Sequence, residues 1–393
     1  MQSSEQSKQL LNNILHHSTV EFEAGFKRPW TAMELYASTM ANEPGFIEYA
    51  EFPDGNDPVW FLGKKFELKE EADFEYVRKS FSSMLWFTYR KNFAAIGGDG
   101  PTSDTGWGCM LRAGQMMLGQ ALIRKHLGRS WMWTSDDRLP DRENYLRILR
   151  MFQDKKSATF SIHQISLMGL SEGKAVGEWF GPNTVAQALK KLVQYDHWSE
   201  MKLHVAMDNI IILSDIKSLC CAKESNKWRP LLLVVPLRLG LSEINDIYTN
   251  AVLNSFKMKH SLGIIGGRPS HALYFIGIQR EELVFLDPHT THNYVDLDEE
   301  PYNDSTYHCQ RAQRMKISNM DPSIAMCFYI GDEDELDQWR VQAKELLVDN
   351  SGHMLFEITD VPLSWSCDIS SEMNTEDAGP SKSYTSDEEF ELL

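Results

Sequence analysis

A single cysteine stands where a turn-rich loop meets the start of a predicted helix. Residues 100–115 read GPTSDTGWGCMLRAGQ, and the cysteine in this stretch is Cys109. The unpaired N–H groups and the dipole at a helix N-terminus stabilise a thiolate and can also stabilise an oxyanion beside the sulfur. The position therefore favours a nucleophilic thiol, although a small buried cysteine without a chemical role fits it as well. A phosphate-binding cysteine loop is excluded, because Gln115 stands where such a loop needs an arginine.

A nucleophilic cysteine needs a base and a group that orients the base. His289 follows a hydrophobic stretch in the sequence LVFLDPHTTH, and Asp287 lies two residues before it. Residues i and i+2 of an extended segment share a face, so the carboxylate and the imidazole are predicted to lie together at a strand end. Asp-Pro also commonly opens a turn, which is the alternative interpretation. Among the other histidines, His163 is predicted to be a core or cap residue and His292 to lie in a solvated loop.

Composition narrows the class of protein. The chain has 393 residues, of which 42% are apolar, and this is enough to bury a substantial core. A formal net charge of −17 argues against nucleic acid as a partner and favours a basic protein or peptide surface. Six cysteines without a CxxC pair, and apolar runs too short for a signal peptide or a membrane span, predict a reduced, cytoplasmic protein. No metal-ligand spacing occurs, so neither a metal nor a cofactor is expected.

Three regions are predicted along the chain. Residues 1–45 are weakly patterned and are predicted to form a mobile N-terminal arm. Residues 46–366 are predicted to form the globular domain. Residues 367–393 are acidic and poor in core-forming side chains, so we expect a disordered tail.

Within the globular region, helices are predicted to come first and a mainly antiparallel sheet second, which is an α+β order. The first half is mostly helical, with a helix over Met110–His126 and another that Asn183 or Thr184 would cap. The second half contains apolar, β-branched or aromatic runs, of which the first is bounded by Pro230 and Pro236. These predicted strands cover residues 231–235, 272–278, 282–287, 325–330 and 354–359.

Several segments, in this order, resemble the autophagin family of autophagy-related cysteine endopeptidases. The resemblance covers residues 46–360, and TSDTGWGCMLR and LDPHTT carry it most specifically. It implies a papain-like fold, in which Cys109 is the nucleophile, His289 the base and Asp287 its partner. It also implies that Tyr89, in WFTYR, helps the Cys109 N–H to hold the oxyanion.

The same resemblance implies a narrow entrance to the thiol. Trp179, in EWFGPN, matches the tryptophan beside the entrance, and Pro269, in GGRPS, matches a mobile loop that covers it. Gly266 and Gly267 would give this lid a flexible base. A slot closed by an indole and a proline-bearing loop leaves no room for a Cβ atom, which predicts glycine at the cleavage point. Without the resemblance, core packing would be the expected role of Trp179.

The implied substrate and partner is the ubiquitin-like autophagy modifier, as precursor and as phosphatidylethanolamine conjugate. The enzyme would trim the precursor after a C-terminal glycine and release the modifier from the lipid, touching a membrane only through this substrate, as a monomer. Phe390 and Leu393, in EEFELL, resemble a short modifier-binding motif, although such patterns also arise by chance. Ala113 stands where many members carry a second cysteine, so a peroxide switch through that thiol is not expected.

Two other functions fit the same residues. One is a Cys-His-Asp amidase or acyltransferase that acts on a small molecule, which would need an open pocket. The other is a catalytically silent scaffold that binds the modifier through its tail and surface. The sequence does not specify three properties: the preferred modifier paralogue, the balance between the two cleavage reactions and the resting state of the lid.

Overall fold

The computed structural model describes residues 52–135, 141–221 and 227–361. The predicted arm and acidic tail, including Phe390 and Leu393, lie outside these ranges. No helix within them is long and apolar enough to cross a bilayer. The helices are α1 Glu71–Ser82, α2 Cys109–His126, α3 Arg142–Met151, α4 Ile162–Met168, α5 Pro182–Leu192, α6 Leu213–Cys220, α7 Thr249–Ser255 and α8 Glu333–Leu346.

The strands of the described residues form one large sheet and two small parallel pairs. They are β1 Val59–Phe61, β2 Lys64–Phe66, β3 Tyr89–Lys91, β4 Lys202–Val205, β5 Ile210–Ile212, β6 Leu231–Arg238, β7 Ser261–Arg268, β8 His271–Gln279, β9 Glu282–Leu286, β10 Thr291–Asn293, β11 Gln313–Lys316, β12 Ser323–Ile330 and β13 Glu357–Thr359. The large sheet has the order β11-β9-β8-β7-β12-β6-β4, with β1 joining β8 to β2. Its pairs are antiparallel except β4 with β6, which confirms the predicted α+β fold.

Both faces of this sheet are covered, so its central strands are apolar on both sides. In β6, Leu232 and Val234 belong to the core shared with α2 and α5. Leu231, Leu233 and Val235 belong to the opposite core, shared with α7 and α8. The continuous run LLLVV is therefore a strand buried on both faces.

Pro236 does not end this strand, contrary to the sequence expectation. β6 continues to Arg238, and Pro236 lies opposite Ala325 in the antiparallel pairing with β12. On the other edge of β6, the neighbouring strand β4 ends opposite Val234. One edge of β6 is therefore free at Pro236, so the missing N–H of proline breaks no ladder bond there.

Two predicted boundaries are also wrong. The helix expected to be capped by Asn183 or Thr184 begins earlier, at Pro182, and its N-cap is Gly181 without a side-chain hydrogen bond. Proline suits the first turn because its fixed φ is helical and its absent N–H would have no partner there. The strand expected over 354–359 is limited to β13, which pairs in parallel with β5.

Two contacts position the segments that carry the predicted chemistry. Helix α2, which begins with Cys109, packs against β7 and β8. Strand β10 pairs in parallel with β3, so that Thr291 lies opposite Tyr89. The backbone N–H of Tyr89 also donates to the carbonyl of Pro288 at 2.9 Å. The segment containing His289 is thereby fixed beside Tyr89.

A buried charge network ties the loop before α2 to the helix itself. The guanidinium of Arg112 donates to both oxygens of Asp104 at 2.8 and 3.0 Å and to Asp154 at 2.8 Å. All three side chains are at most 2% exposed. Asp104 also accepts the backbone N–H of Arg90 at 2.7 Å. One carboxylate therefore joins the loop, the helix and strand β3.

We expect Arg112→Ala to lower the free energy of unfolding by about 3–5 kcal/mol, because it leaves two buried carboxylates without their cation. Urea unfolding followed by circular dichroism measures this loss. Arg340→Ala is the matched control, because Arg340 also binds a carboxylate of Asp360 in bidentate form, at 2.8 and 2.9 Å, but on the surface. Its expected loss is below about 1 kcal/mol. Equal losses for both variants would contradict the structural role of the network.

Candidate active site

Cys109 is the first residue of α2 and is 2% exposed. The preceding residue, Gly108, is the N-cap and offers no side chain to the first helical N–H groups. A Cβ atom at Gly108 would lie 2.2 Å from a carboxylate oxygen of Asp104, so glycine is required by this close approach. The sulfur therefore lies at an uncapped helix N-terminus, where the dipole favours negative charge.

Asp287 and His289 are in direct contact. Oδ1 of Asp287 lies 2.5 Å from Nδ1 of His289 and also accepts the His289 backbone N–H at 2.9 Å. Strand β9 ends at Leu286, so the two residues meet in a turn rather than in the extended segment that was predicted. The backbone carbonyl of Asp287 accepts the indole N–H of Trp86 at 2.7 Å, which holds this turn in place.

The Cys109 thiol and the His289 imidazole change each other's pKa. Burial alone would raise the pKa of the Cys109 thiol, but its interactions with the side chain and charge of His289 bring the pKa below its ordinary value. Burial alone would lower the pKa of His289, but Asp287 and Cys109 raise it above the ordinary value for histidine. Both directions favour a thiolate–imidazolium pair.

The carboxylate of the site stays ionised. Burial would raise the pKa of Asp287, but its hydrogen bonds and charge interaction with His289 lower it below the usual value. Nε2 of His289 is buried and makes no aligned hydrogen bond within the described part of the chain. Catalytic hydrogen bonds are often loose before substrate binds, so this nitrogen is available to transfer a proton at the thiol.

Three other cysteines lie in surroundings that raise the pKa of the thiol instead of lowering it. Burial raises the pKa of Cys220 and of Cys327 to about 12, and that of Cys309 to about 11. These thiols are therefore protonated and unreactive at neutral pH. The contrast distinguishes Cys109 by its environment, independently of any sequence motif.

Two further groups lie close to the sulfur. The Tyr89 hydroxyl and the backbone N–H of Ala272 are near enough to Cys109 to help lower the pKa of its thiol. Burial, together with Cys109, keeps Tyr89 protonated by raising its pKa far above the usual value. Tyr89 is therefore a neutral donor beside the sulfur. The contribution of Ala272 was not found from the sequence, because a backbone N–H has no residue signature.

Trp179 covers the thiol. Its indole Nε1 donates to Sγ of Cys109 at 3.3 Å, while the side chain as a whole is 45% exposed. Core packing, the alternative considered from the sequence, is therefore wrong. A cavity of only about 40 Å³ remains between this indole, Met110 and the end of strands β7 and β8.

The glycines of the predicted lid lie in the paired part of β7. Gly266 and Gly267 are buried, and they are opposite Leu273 and Ala272 of β8. A Cβ atom on Gly267 would lie 1.9 Å from the His271 carbonyl oxygen, so the close approach of the strands requires glycine. The exposed turn is formed by Pro269 and Ser270. The lid stays a prediction, and its movable part would be this turn.

Three other histidines are placed by the structure. His163 is buried, with Nε2 at 2.6 Å from the Ala94 carbonyl, as predicted for a core residue. His292 is not in a solvated loop: it is half-buried in β10, and its Nδ1 lies 2.7 Å from the Thr88 hydroxyl. His271 was missed, although its ring centroid lies 4.9 Å from that of His289.

We expect Asp287→Asn to shift the alkylation of Cys109 to higher pH. Without the carboxylate, the raised pKa of His289 falls, the imidazolium is lost at lower pH and the depressed thiol pKa rises. The midpoint of the iodoacetamide rate against pH should therefore move up by about one unit. Asp298→Asn, at an exposed carboxylate paired with Arg150, is the control. An unchanged midpoint in Asp287→Asn would contradict the charge coupling.

Comparison with known proteins agrees with this geometry. The family model described as the peptidase C54 catalytic domain matches residues 74–342. A cysteine protease ATG4A from Xenopus laevis is 45% identical over 388 residues, covering 90% of this chain and 96% of the relative. Human cysteine protease ATG4A is 47% identical over 335 residues, covering 78% and 83%. Cysteine protease ATG4B from Gallus gallus is 44% identical over 355 residues, covering 82% and 89%.

These matches confirm the family resemblance, the papain-like fold and the class of chemistry that were predicted from the sequence. The matched region contains Cys109, Asp287 and His289 together with the strands and helices that position them. The chain therefore belongs to the peptidase C54 family and is an autophagy-related cysteine endopeptidase.

Proposed function

We propose that this enzyme cleaves the ubiquitin-like autophagy modifier after its C-terminal glycine, both in the precursor and in the phosphatidylethanolamine conjugate. The observation that carries the proposal is the narrow approach to the nucleophile. The indole of Trp179 contacts the sulfur, and the cavity beside it measures about 40 Å³. A chain without a side chain can lie in such a slot, whereas a Cβ atom would meet its walls.

The mechanism follows from the groups around the sulfur. The Cys109 thiolate attacks the glycine carbonyl carbon, and the oxygen becomes an oxyanion beside the Cys109 N–H and the Tyr89 hydroxyl. His289 gives its Nε2 proton to the nitrogen of the leaving amine as the C–N bond breaks. The imidazole then removes a proton from water, which attacks the thioester and releases the glycine carboxylate. Asp287 fixes the tautomer of the ring through Nδ1.

Four further expectations belong to this proposal. The enzyme is cytoplasmic, in agreement with the free thiols of the five cysteines that the structure describes. It meets a membrane through the lipidated substrate, and it acts as a monomer. Residues 46–366 form the catalytic domain, with an arm before it and a binding tail after it.

We expect Cys109→Ala to reduce cleavage of the modifier precursor by a factor on the order of 10⁴ or more, because no other group takes over the nucleophile's role. Gel assays of precursor cleavage measure the rate. Cys221→Ala, at the end of α6, is the matched control and should keep wild-type activity.

The same assay separates the alternatives. A small-molecule amidase would cleave short peptide amides as fast as the folded precursor, and a silent scaffold would cleave neither. A precursor with alanine in place of its terminal glycine should be cleaved far more slowly. Cleavage by Cys109→Ala at the wild-type rate would refute the proposed mechanism.

We expect the double substitution Phe390→Ala, Leu393→Ala, or deletion of residues 386–393, to weaken binding of the mature modifier. Loss of the two side chains that the motif is expected to insert into the modifier should raise Kd by about tenfold or more, as measured by isothermal titration calorimetry. Turnover at saturating precursor should be preserved, because the triad is intact. Tyr384→Ala removes an aromatic side chain of the same tail outside the motif and serves as the control. An unchanged Kd in the double variant would contradict the binding role of the tail.

A further inference from the structure

An arginine beside the active site has no assigned role in this mechanism. Arg268 is half-buried at the end of β7, and it forms no ion pair with an acid in the described part of the chain. Its Nε atom is buried and without a hydrogen-bond partner there. In a chain with a formal net charge of −17, a guanidinium that forms no direct ion pair in the described residues can take up an anion supplied from outside.

The strand pairing shows which way Arg268 faces. Arg268 lies directly opposite His271 in the antiparallel β7–β8 pair. Residues directly opposite each other in such a pair project from the same face of the sheet. The ring of His271 packs beside the ring of His289, with centroids 4.9 Å apart. Arg268 therefore projects to the side of the hairpin on which the catalytic base lies.

Two other observations agree with this placement. The charge of Arg268 is close enough to Asp287 to help lower the pKa of that carboxyl. Arg268 also lines the cavity of about 40 Å³ that borders Met110 and Trp179, next to the nucleophile. Asp321 lines the same cavity without forming an ion pair with Arg268, and its carboxylate accepts the backbone N–H of Ser323 at 2.8 Å. The guanidinium is thus a cation at the wall of a cavity that borders Trp179, the residue whose indole contacts the Cys109 sulfur.

The chemistry of the leaving group indicates what this cation could bind. The leaving nitrogen must approach His289, because that ring supplies its proton. In the lipid conjugate, a negatively charged phosphodiester follows this nitrogen after a short ethanolamine spacer. In the precursor, a peptide follows instead. Guanidinium groups bind phosphate oxygens through two parallel hydrogen bonds, which makes arginine suited to tell these leaving groups apart.

We propose that Arg268 is a specificity-determining residue, which binds the phosphodiester of the leaving group and thereby favours release of the modifier from phosphatidylethanolamine. This inference rests on the proposed function and adds to it a site for the part of the substrate that departs. No bond to Arg268 forms or breaks: the amide C–N bond is cleaved at Cys109, and the phosphodiester leaves intact with its amine.

The test uses two soluble substrates that differ only in the glycerophosphoryl group. In one, the glycine of the mature modifier is joined by an amide bond to glycerophosphoethanolamine; in the other, it is joined to ethanolamine. Neither carries acyl chains, so binding to a membrane surface cannot contribute. The readout is the ratio of the two kcat/KM values, in which any general effect on the triad or on the β7–β8 turn cancels.

We expect the wild-type enzyme to favour the phosphate-bearing substrate and Arg268→Gln to reduce this ratio by about tenfold, as for loss of a charge-assisted hydrogen bond. Arg268→Lys, which keeps the charge but not the planar fork, should lie between them. Arg78→Gln, at an exposed arginine of α1, is the control and should leave the ratio unchanged. Thermal unfolding of each variant establishes that it is folded.

Two outcomes separate this inference from the proposal on which it rests. If Arg268→Gln and Arg268→Lys lower both kcat/KM values by the same factor, Arg268 only supports the turn and the inference is wrong. If the wild-type enzyme cleaves neither amide, the proposed function itself is refuted, and the inference falls with it. A wild-type ratio near one would also overturn the inference.

Discussion

The ion pair between Arg112 and Asp104 is the interaction on which the catalytic geometry depends. Asp104 lies in the loop before α2, Arg112 lies in the first turns of α2, and the backbone N–H of Arg90 donates to the same carboxylate. Charged groups buried to this degree are stable only when each is paired and hydrogen-bonded, so the network stabilises the observed arrangement of these three segments. That arrangement brings the sulfur at the helix start next to the tyrosine hydroxyl on β3.

A second constraint places the base. The pairing of β10 with β3, and the indole of Trp86 bound to the carbonyl of Asp287, hold the Asp-Pro-His turn against the strand that carries Tyr89. The nucleophile and the base therefore come from distant parts of the chain, but contacts with β3 hold both of them in place. Small displacements of this strand would change the distances of both groups to a substrate carbonyl, and such displacements are costly in catalysis.

The members of the triad could be found from the sequence as candidates, because their chemistry is local. A thiol after a glycine-rich loop and an Asp-Pro-His run after a strand each had a structural alternative, and the family resemblance joined them as nucleophile, base and partner. Even so, the turn that brings Asp287 to His289 was predicted as an extended segment. The amide of Ala272 could not be found, since any residue carries one. The contact of His271 with His289 depends on strand register, which single-sequence patterns do not specify.

Two of the wrong boundaries lie at prolines. Pro236 was expected to end a strand, and the helix that begins at Pro182 was expected to be capped at Asn183 or Thr184, whereas the tolerance for proline depends on which neighbouring groups need a hydrogen bond. At the first turn of α5 and at the free edge of β6, no carbonyl of the described residues is placed to accept a hydrogen bond from the N–H that proline lacks. Proline is tolerated at such places, and only the tertiary arrangement reveals them.

The hydrogen bond from the Trp179 indole to the Cys109 sulfur has a consequence for the resting enzyme. A thiolate lone pair that accepts an N–H is less nucleophilic toward any electrophile that meets it, including oxidants. The hydrogen bond from the indole therefore lowers the reactivity of a thiolate that the helix start and His289 otherwise stabilise.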